Sequence, residues 1–167
     1  TFRGNIGAEI SGLMDSMMIS HAIIVPAYPS NERITKDGMV YVKGKLLAET
    51  EISKDPRTPV KESSIHRIIS QQTDKSIGSI NFRDVKAGKQ NLIQKLRQLI
   101  DGDIRLIIID ALDDEDLDLI ARVTTQLEEK ILFAGSPGFA EYLPKYLYPE
   151  KIKKSNIIIA GSVSEVT

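Results

Sequence analysis

The sequence predicts an α/β fold: a mainly parallel sheet with helices on both faces and a small β-hairpin excursion. Three observations predict it. Short, nearly all-apolar runs such as Leu106-Ile107-Ile108-Ile109 recur along the 167 residues, as expected of strands buried on both faces. Segments with apolar residues three and four apart stand between them, the pattern of helices that bury one face. The length suits one ordinary domain with a real core.

Each element has its own signal. Ile6, Ile10, Leu13, Met14 and Met17 fall at helical spacing and predict a helix over 6–18. The run from His21 to Val25, closed by Pro26 and Pro29, reads as a buried strand. Pro26 to Thr35 has no clear period and is expected to be a loop. Met39-Val40-Tyr41-Val42, Lys43-Gly44 and Lys45-Leu46-Leu47 form a hairpin pattern around a glycine turn. Asp55-Pro56 and Thr58-Pro59 predict an extended excursion from Glu49 to Lys61.

Beyond that the pattern is regular. It predicts helices over 63–72, 90–101, 113–129 and 139–147, and strands over 76–81, 105–110, 130–134 and 156–160. The final strand ends in Gly161-Ser162 a few residues before the chain stops, and the first residue is Thr. That pattern predicts a piece of a longer protein. No internal repeat or low-complexity tract occurs.

Composition excludes several functions. Lys and Arg number 22 against 23 Asp and Glu, for a formal charge of −1, which gives no reason to expect a nucleic-acid or membrane partner. The chain has no cysteine, so disulfides, thiolate catalysis and cysteine-ligated metals are out. Its two histidines, His21 and His66, are too few for a histidine metal cage. No apolar run approaches a membrane span, and a soluble cytoplasmic protein is expected.

In open α/β sheets ligands bind beyond the carboxyl ends of the strands. The residues there are Pro26-Ala27-Tyr28-Pro29, Asn81 to Asp84, Asp110-Ala111, Gly135-Ser136-Pro137-Gly138 and Gly161-Ser162. Gly135-Ser136-Pro137-Gly138 joins a strand to a helix, where close backbone approach and unpaired N–H groups suit a carboxylate or phosphate. On local evidence alone, a tight turn with Ser136 as helix cap is the favoured reading. Asp110 could orient a hydroxyl or start the next turn. Asp113 to Asp116 read as first-turn residues complementing a helix dipole on a solvated face. Neither a Walker A loop nor a GxGxxG fingerprint is present, which disfavours a dinucleotide-dependent oxidoreductase.

Thr1-Phe2-Arg3-Gly4-Asn5-Ile6-Gly7 places a guanidinium and N–H donors just before a helix. With Val25-Pro26-Ala27-Tyr28-Pro29, Asp55-Pro56-Arg57-Thr58-Pro59-Val60 and Gly135-Ser136-Pro137-Gly138-Phe139-Ala140, it resembles the four-carbon acid sugar kinase family. The motifs stand in family order across nearly the whole chain. Asn31-Glu32-Arg33 replaces the more usual Asn-Gly-Arg, and Pro137 stands where Ala is common. The family's Asp-Asp-x-Thr-Gly and Lys-x-Asp-Ser segments are absent.

The resemblance implies phosphorylation of threonate, erythronate or 3-oxo-tetronate with ATP and Mg2+. It implies an acid-sugar-binding domain over residues 1–152, with 153–167 opening a nucleotide domain. Arg3, Gly4, Asn5, Arg33, Asp110, Gly135, Ser136 and Gly138 would serve the acid sugar, and Gly161 and Ser162 the nucleotide. No metal ligand is assigned here; ATP and Mg2+ would be held mainly outside this chain, which alone should be inactive. A homo-oligomer is compatible with the pattern. The alternative from another class is a non-catalytic small-acid-binding or sensor module on the same frame.

Overall fold

The computed structural model describes residues 4–149. The elements run α1 (Ile6–Met17), β1 (His21–Val25), β2 (Arg33–Lys36), β3 (Met39–Val42), β4 (Lys45–Leu46), α2 (Ile65–Ser70) and β5 (Ile77–Ile80). They continue as α3 (Phe82–Lys86), α4 (Lys89–Asp101), β6 (Leu106–Ile109), α5 (Asp114–Thr124), β7 (Ile131–Gly135) and α6 (Pro137–Leu147). Four strands make a parallel sheet in the order β5-β6-β1-β7; β2, β3 and β4 make a small antiparallel sheet. The expected α/β architecture and its hairpin are both present.

The alternation of side chains along a strand splits the core in two. Ile23, Val25, Ile107 and Ile109 pack with Val85, Leu92, Leu96, Leu117, Ile120 and Phe139, so α3 to α6 cover that face. Ala22, Ile24, Leu106 and Ile108 point the other way, against Ile10 and Met14 of α1, Ile65 and Ile69 of α2, and Val40 of the small sheet. Burying one such aliphatic side chain contributes roughly 1.5–3 kcal/mol. Both faces are needed, which explains the unbroken apolar runs.

Three elements depart from the sequence-based expectation. The loop expected over 26–35 ends early, because β2 starts at Arg33 and turns into β3 through Asp37 (φ 51°) and Gly38 (φ 72°). Two consecutive left-handed residues are the signature of a tight hairpin turn, and Asp-Gly is a favoured pair for it. The short helix α3 was not expected; Asn81 caps it by accepting the Asp84 N–H at 3.0 Å. Helix α5 stops at Thr124 rather than near 129. There Thr124 and Thr125 turn their hydroxyls onto the Ile120 and Ala121 carbonyls, each at 2.7 Å, and the chain leaves through three-residue turns at Gln126 and Leu127.

The remaining helices and strands agree with expectation to within a few residues. The segment after β4 also departs from the extended course expected over 49–61: two short three-residue-per-turn segments, Leu47–Glu49 and Glu51–Lys54, take up Leu47 and the start of the excursion, the second capped by the Thr50 hydroxyl. The strand expected over 156–160 lies outside the described residues.

Candidate functional site

The strand connections diverge at β1. The chain leaves β1 toward the face covered by α1, α2 and the small sheet, whereas β5, β6 and β7 lead into α3, α5 and α6 on the opposite face. In an open parallel sheet that divergence opens a crevice beyond the carboxyl ends of the strands. A cavity of about 150 Å³ lies there, between the ends of β1 and β7. Ile24 and Pro26 line it from β1, Ala134 to Pro137 from β7 and the start of α6, Ile6 from α1, and Arg33 from β2.

Arg33 is the charged residue of this cavity. Its backbone is bonded both ways to Tyr28, N–H to carbonyl at 3.1 Å and carbonyl to N–H at 2.7 Å. Its Nε is buried and has no hydrogen-bond partner. Burial pushes the guanidinium below its ordinary pKa, and the neighbouring Tyr28 partly opposes this. An arginine remains charged regardless. A buried donor without a partner costs about 1–3 kcal/mol, so one N–H of the Arg33 guanidinium is left unsatisfied in a residue that lines a small cavity.

The turn after β7 is used mostly by the fold itself. Ser136 donates its hydroxyl to the Ala27 carbonyl and accepts the Phe139 N–H at 3.2 Å, and its own N–H reaches the Val25 carbonyl at 3.1 Å. The helix-cap explanation of Ser136 therefore holds. A Cβ on Gly135 would stand 2.6 Å from the Val25 carbonyl oxygen, and one on Gly138 would stand 2.4 Å from Tyr28 Cδ2. Close packing requires both glycines. Gly135 and Ser136 still line the cavity, while Gly138 is buried beneath the Tyr28 ring.

Asp110 is buried and does not line the cavity. Its carboxylate accepts the Gly38 N–H at 3.2 Å and the Phe82 N–H at 3.3 Å. Burial pushes this carboxyl up to about 6, against the pull of the donating N–H groups. The acidic run after it also serves the fold. Asp113 caps α5 by accepting the Asp116 N–H at 3.0 Å, and Asp116 accepts the Leu112 N–H at 2.9 Å. Asp116 is buried, not on a solvated face, because Lys86 Nζ reaches it at 2.8 Å and Asp113 at 2.6 Å. Exposed His66 sits on α2, and buried His21 places Nδ1 2.9 Å from the Ile104 carbonyl.

The segment leading into α1 approaches the cavity through Ile6. Asn5 occupies the cap position of α1, yet its side chain makes no capping bond. Gln72 was not singled out in the sequence, but it holds this segment: Oε1 accepts the Gly7 N–H at 2.7 Å and Nε2 donates to the Gly4 carbonyl at 3.2 Å. Gly4 faces a second, shallower depression with Thr58 to Glu62 rather than the cavity. Arg3, Gly161 and Ser162 lie outside the described residues. Thr35 was not singled out, because a lone threonine in a segment without a clear period carries no local signal of tertiary contact.

A family model described as a sugar-binding N-terminal domain matches residues 1–143. The chain belongs to that family. Among relatives of this sugar-binding domain, the D-threonate kinase of Salmonella typhimurium is 34% identical across the whole chain and 39% of its own length. The D-erythronate kinase of Heliobacterium modesticaldum is 32% identical, with 39% of its length covered. The 3-oxo-tetronate kinase of Brucella melitensis is 28% identical, with 41% covered. The chain thus spans about two fifths of these curated relatives.

A crystal structure of a Haemophilus influenzae protein superposes with a TM-score of 0.77 at 26% identity, over 86% of this chain and 34% of that one. A Bordetella bronchiseptica protein, a domain-swapped dimer with bound citrate, gives 0.60 at 27% identity, over 76% and 29%. No helix among the described residues is long and apolar enough to cross a membrane.

Proposed function

We propose that the chain holds a four-carbon acid sugar of the threonate, erythronate or 3-oxo-tetronate type in the cavity beside Arg33. In this reading it is the sugar-binding part of an ATP-dependent kinase. The observation that carries the reading is the buried, partnerless Nε of Arg33 at a cavity of about 150 Å³. A guanidinium fork matches a carboxylate in shape and charge. The apolar walls from Ile6, Ile24 and Pro26 would exclude water and strengthen that pairing. The kinases named above, and the citrate bound by the Bordetella protein, support a small hydroxy acid as the ligand class.

The cavity beside Arg33 is not assigned to ATP or a magnesium ion in this reading. At about 150 Å³ it is smaller than the roughly 300–1,000 Å³ typical of drug-sized ligands and suits a small acid better than a nucleotide. The reading therefore assigns ATP and Mg2+ to other parts of a kinase and gives this chain the work of positioning. Phosphoryl transfer depends chiefly on holding the acceptor hydroxyl in line and neutralising charge. With the acid gripped at its carboxylate, the far hydroxyl would be presented at the mouth of the crevice. Residues 1–152 would form the sugar domain and 153–167 the entry to the nucleotide side.

Arg33→Met tests the assignment. It keeps the volume and removes an unsatisfied buried donor, so the melting temperature should stay level or rise. Affinity for D-threonate or D-erythronate should fall by roughly ten- to 150-fold, the equivalent of about 1.5–3 kcal/mol for a charge-assisted bond. Calorimetric titration beside melting curves reads both. Unchanged affinity in the folded variant would remove Arg33 from the site.

A further inference from the structure

Arg33 opens a two-sided problem of placement. It is the first residue of β2, an edge strand of a three-stranded sheet that is separate from the main sheet. A strand of four residues at such an edge is held weakly by its own ladder. Toward its N-terminal side the Tyr28 backbone brackets it, and the Tyr28 ring sits on Gly138. Toward its C-terminal side two further ties reach the main sheet, both at the end of β6. Buried Thr35 donates its N–H to the Ala111 carbonyl at 3.0 Å and accepts the Ala111 N–H on Oγ1 at 2.9 Å. One turn further on, the Asp110 carboxylate takes the Gly38 N–H and the Phe82 N–H.

We propose that Asp110 and Thr35 are positioning residues: together they moor β2 to the carboxyl end of β6 and so fix the Arg33 guanidinium at the acid-binding cavity. The proposal rests on the acid-sugar reading given above. A carboxylate suits the task at Asp110 because it only accepts, and it faces N–H donors from two different elements. Both oxygens stand 3.2 Å from the Gly38 N, so an asparagine would in either orientation set its NH2 group against the Gly38 N–H and weaken that tie. The threonine hydroxyl supplies an acceptor where β2 and the β6 end meet as an isolated bridge, Thr35 opposite Ala111. Neither residue touches the cavity, so both would act on the ligand through Arg33 alone.

The consequence is selective. Loosening the mooring lets the guanidinium wander by a fraction of its own length, and misplacement on the order of 1 Å costs up to about 100-fold where a charged group must meet its partner. Asp110→Asn and Thr35→Val are therefore expected to lower affinity for D-threonate or D-erythronate by about tenfold each. Thr35→Ser, which keeps the acceptor, should remain near the wild-type value. Calorimetric titration of the folded proteins gives the affinities. Amide hydrogen exchange in the absence of acid gives the mooring directly: Thr35 and Gly38 should lose protection in the Asp110→Asn and Thr35→Val variants, while Ile24 and Ile108 of the main sheet keep theirs.

Equal affinity in wild type, Asp110→Asn and Thr35→Val overturns the proposal, as does unchanged protection at Thr35 and Gly38. Failure of the wild-type chain to take up either acid instead contradicts the acid-sugar reading, and the exchange pattern then decides the mooring by itself. If Asp110→Asn does not fold, the Thr35 pair carries the same comparison.

Discussion

Replacing Gly138 by alanine should destabilise the protein through one contact, and the structure says which. The new Cβ would lie 2.4 Å from Tyr28 Cδ2, 3.0 Å from Cε2 and 3.2 Å from Cγ. Because Cγ is included, a ring flip brings no relief; the whole side chain must leave its place. Such overpacking typically costs about 1–3 kcal/mol. Alanine in a helix regains roughly 0.5–1 kcal/mol over glycine, so the net loss should be about 1–2 kcal/mol, or roughly 2–8 °C in Tm for a chain of this size. The assay is a double-mutant cycle by thermal or urea unfolding. In a Tyr28→Ala background Gly138→Ala should become neutral or stabilising by up to about 1 kcal/mol, a coupling of about 1–3 kcal/mol. Additive effects of the two substitutions would refute the steric reasoning and leave the glycine unexplained.

Two further outcomes follow from buried charge. The Asp110 carboxyl has a folded-state pKa of about 6, above the unfolded value near 3.9, so the native state holds this proton more tightly. Asp37 faces it from the β2–β3 turn and pushes the same way, while Arg83 pairs with Asp37 at 2.8 Å. The stabilisation, about 3 kcal/mol, is full below about pH 4 and is lost as pH rises through 6; urea midpoints of Asp110→Asn should be flatter across that window than those of the wild type. Lys86→Met should cost about 1–2 kcal/mol at neutral pH, because it strands the buried Asp116 carboxylate while Lys86 itself is partly solvated; a midpoint equal to wild type would show that the Leu112 N–H alone satisfies Asp116.

The main sheet was legible because burial on both faces leaves a run such as Leu106 to Ile109 no polar position, whatever the topology. Helices α1 and α4 were legible for the complementary reason, a single apolar stripe. Strand β2 was hidden: Arg33-Ile34-Thr35-Lys36 is polar at both ends, and its pairing depends on the Asp37-Gly38 turn more than on its composition. Helix α3 was too short for a period, and α5 appeared longer than it is because Leu127 continues the apolar spacing past the two threonines.

The site divides in the same way. Gly135 and Ser136 were picked out by their place beyond a strand and Arg33 only through the family resemblance, and all three line one cavity. Yet local sequence gave no means to tell a glycine needed by Tyr28 from one kept for a ligand. Nor could it show that both Asp110 oxygens face backbone N–H groups from elements 28 and 72 residues away.

The central claim is that the Arg33 guanidinium receives the acid. Its Nε–H resonance in a 15N-labelled chain, followed by NMR during titration with D-threonate or D-erythronate, tests this most directly. The account predicts a saturable shift of that resonance with slowed exchange of its proton, accompanied by the amides of Gly135 and Ser136. Saturable binding that leaves the Arg33 Nε–H unmoved, with the shifts gathered elsewhere on the chain, would contradict it.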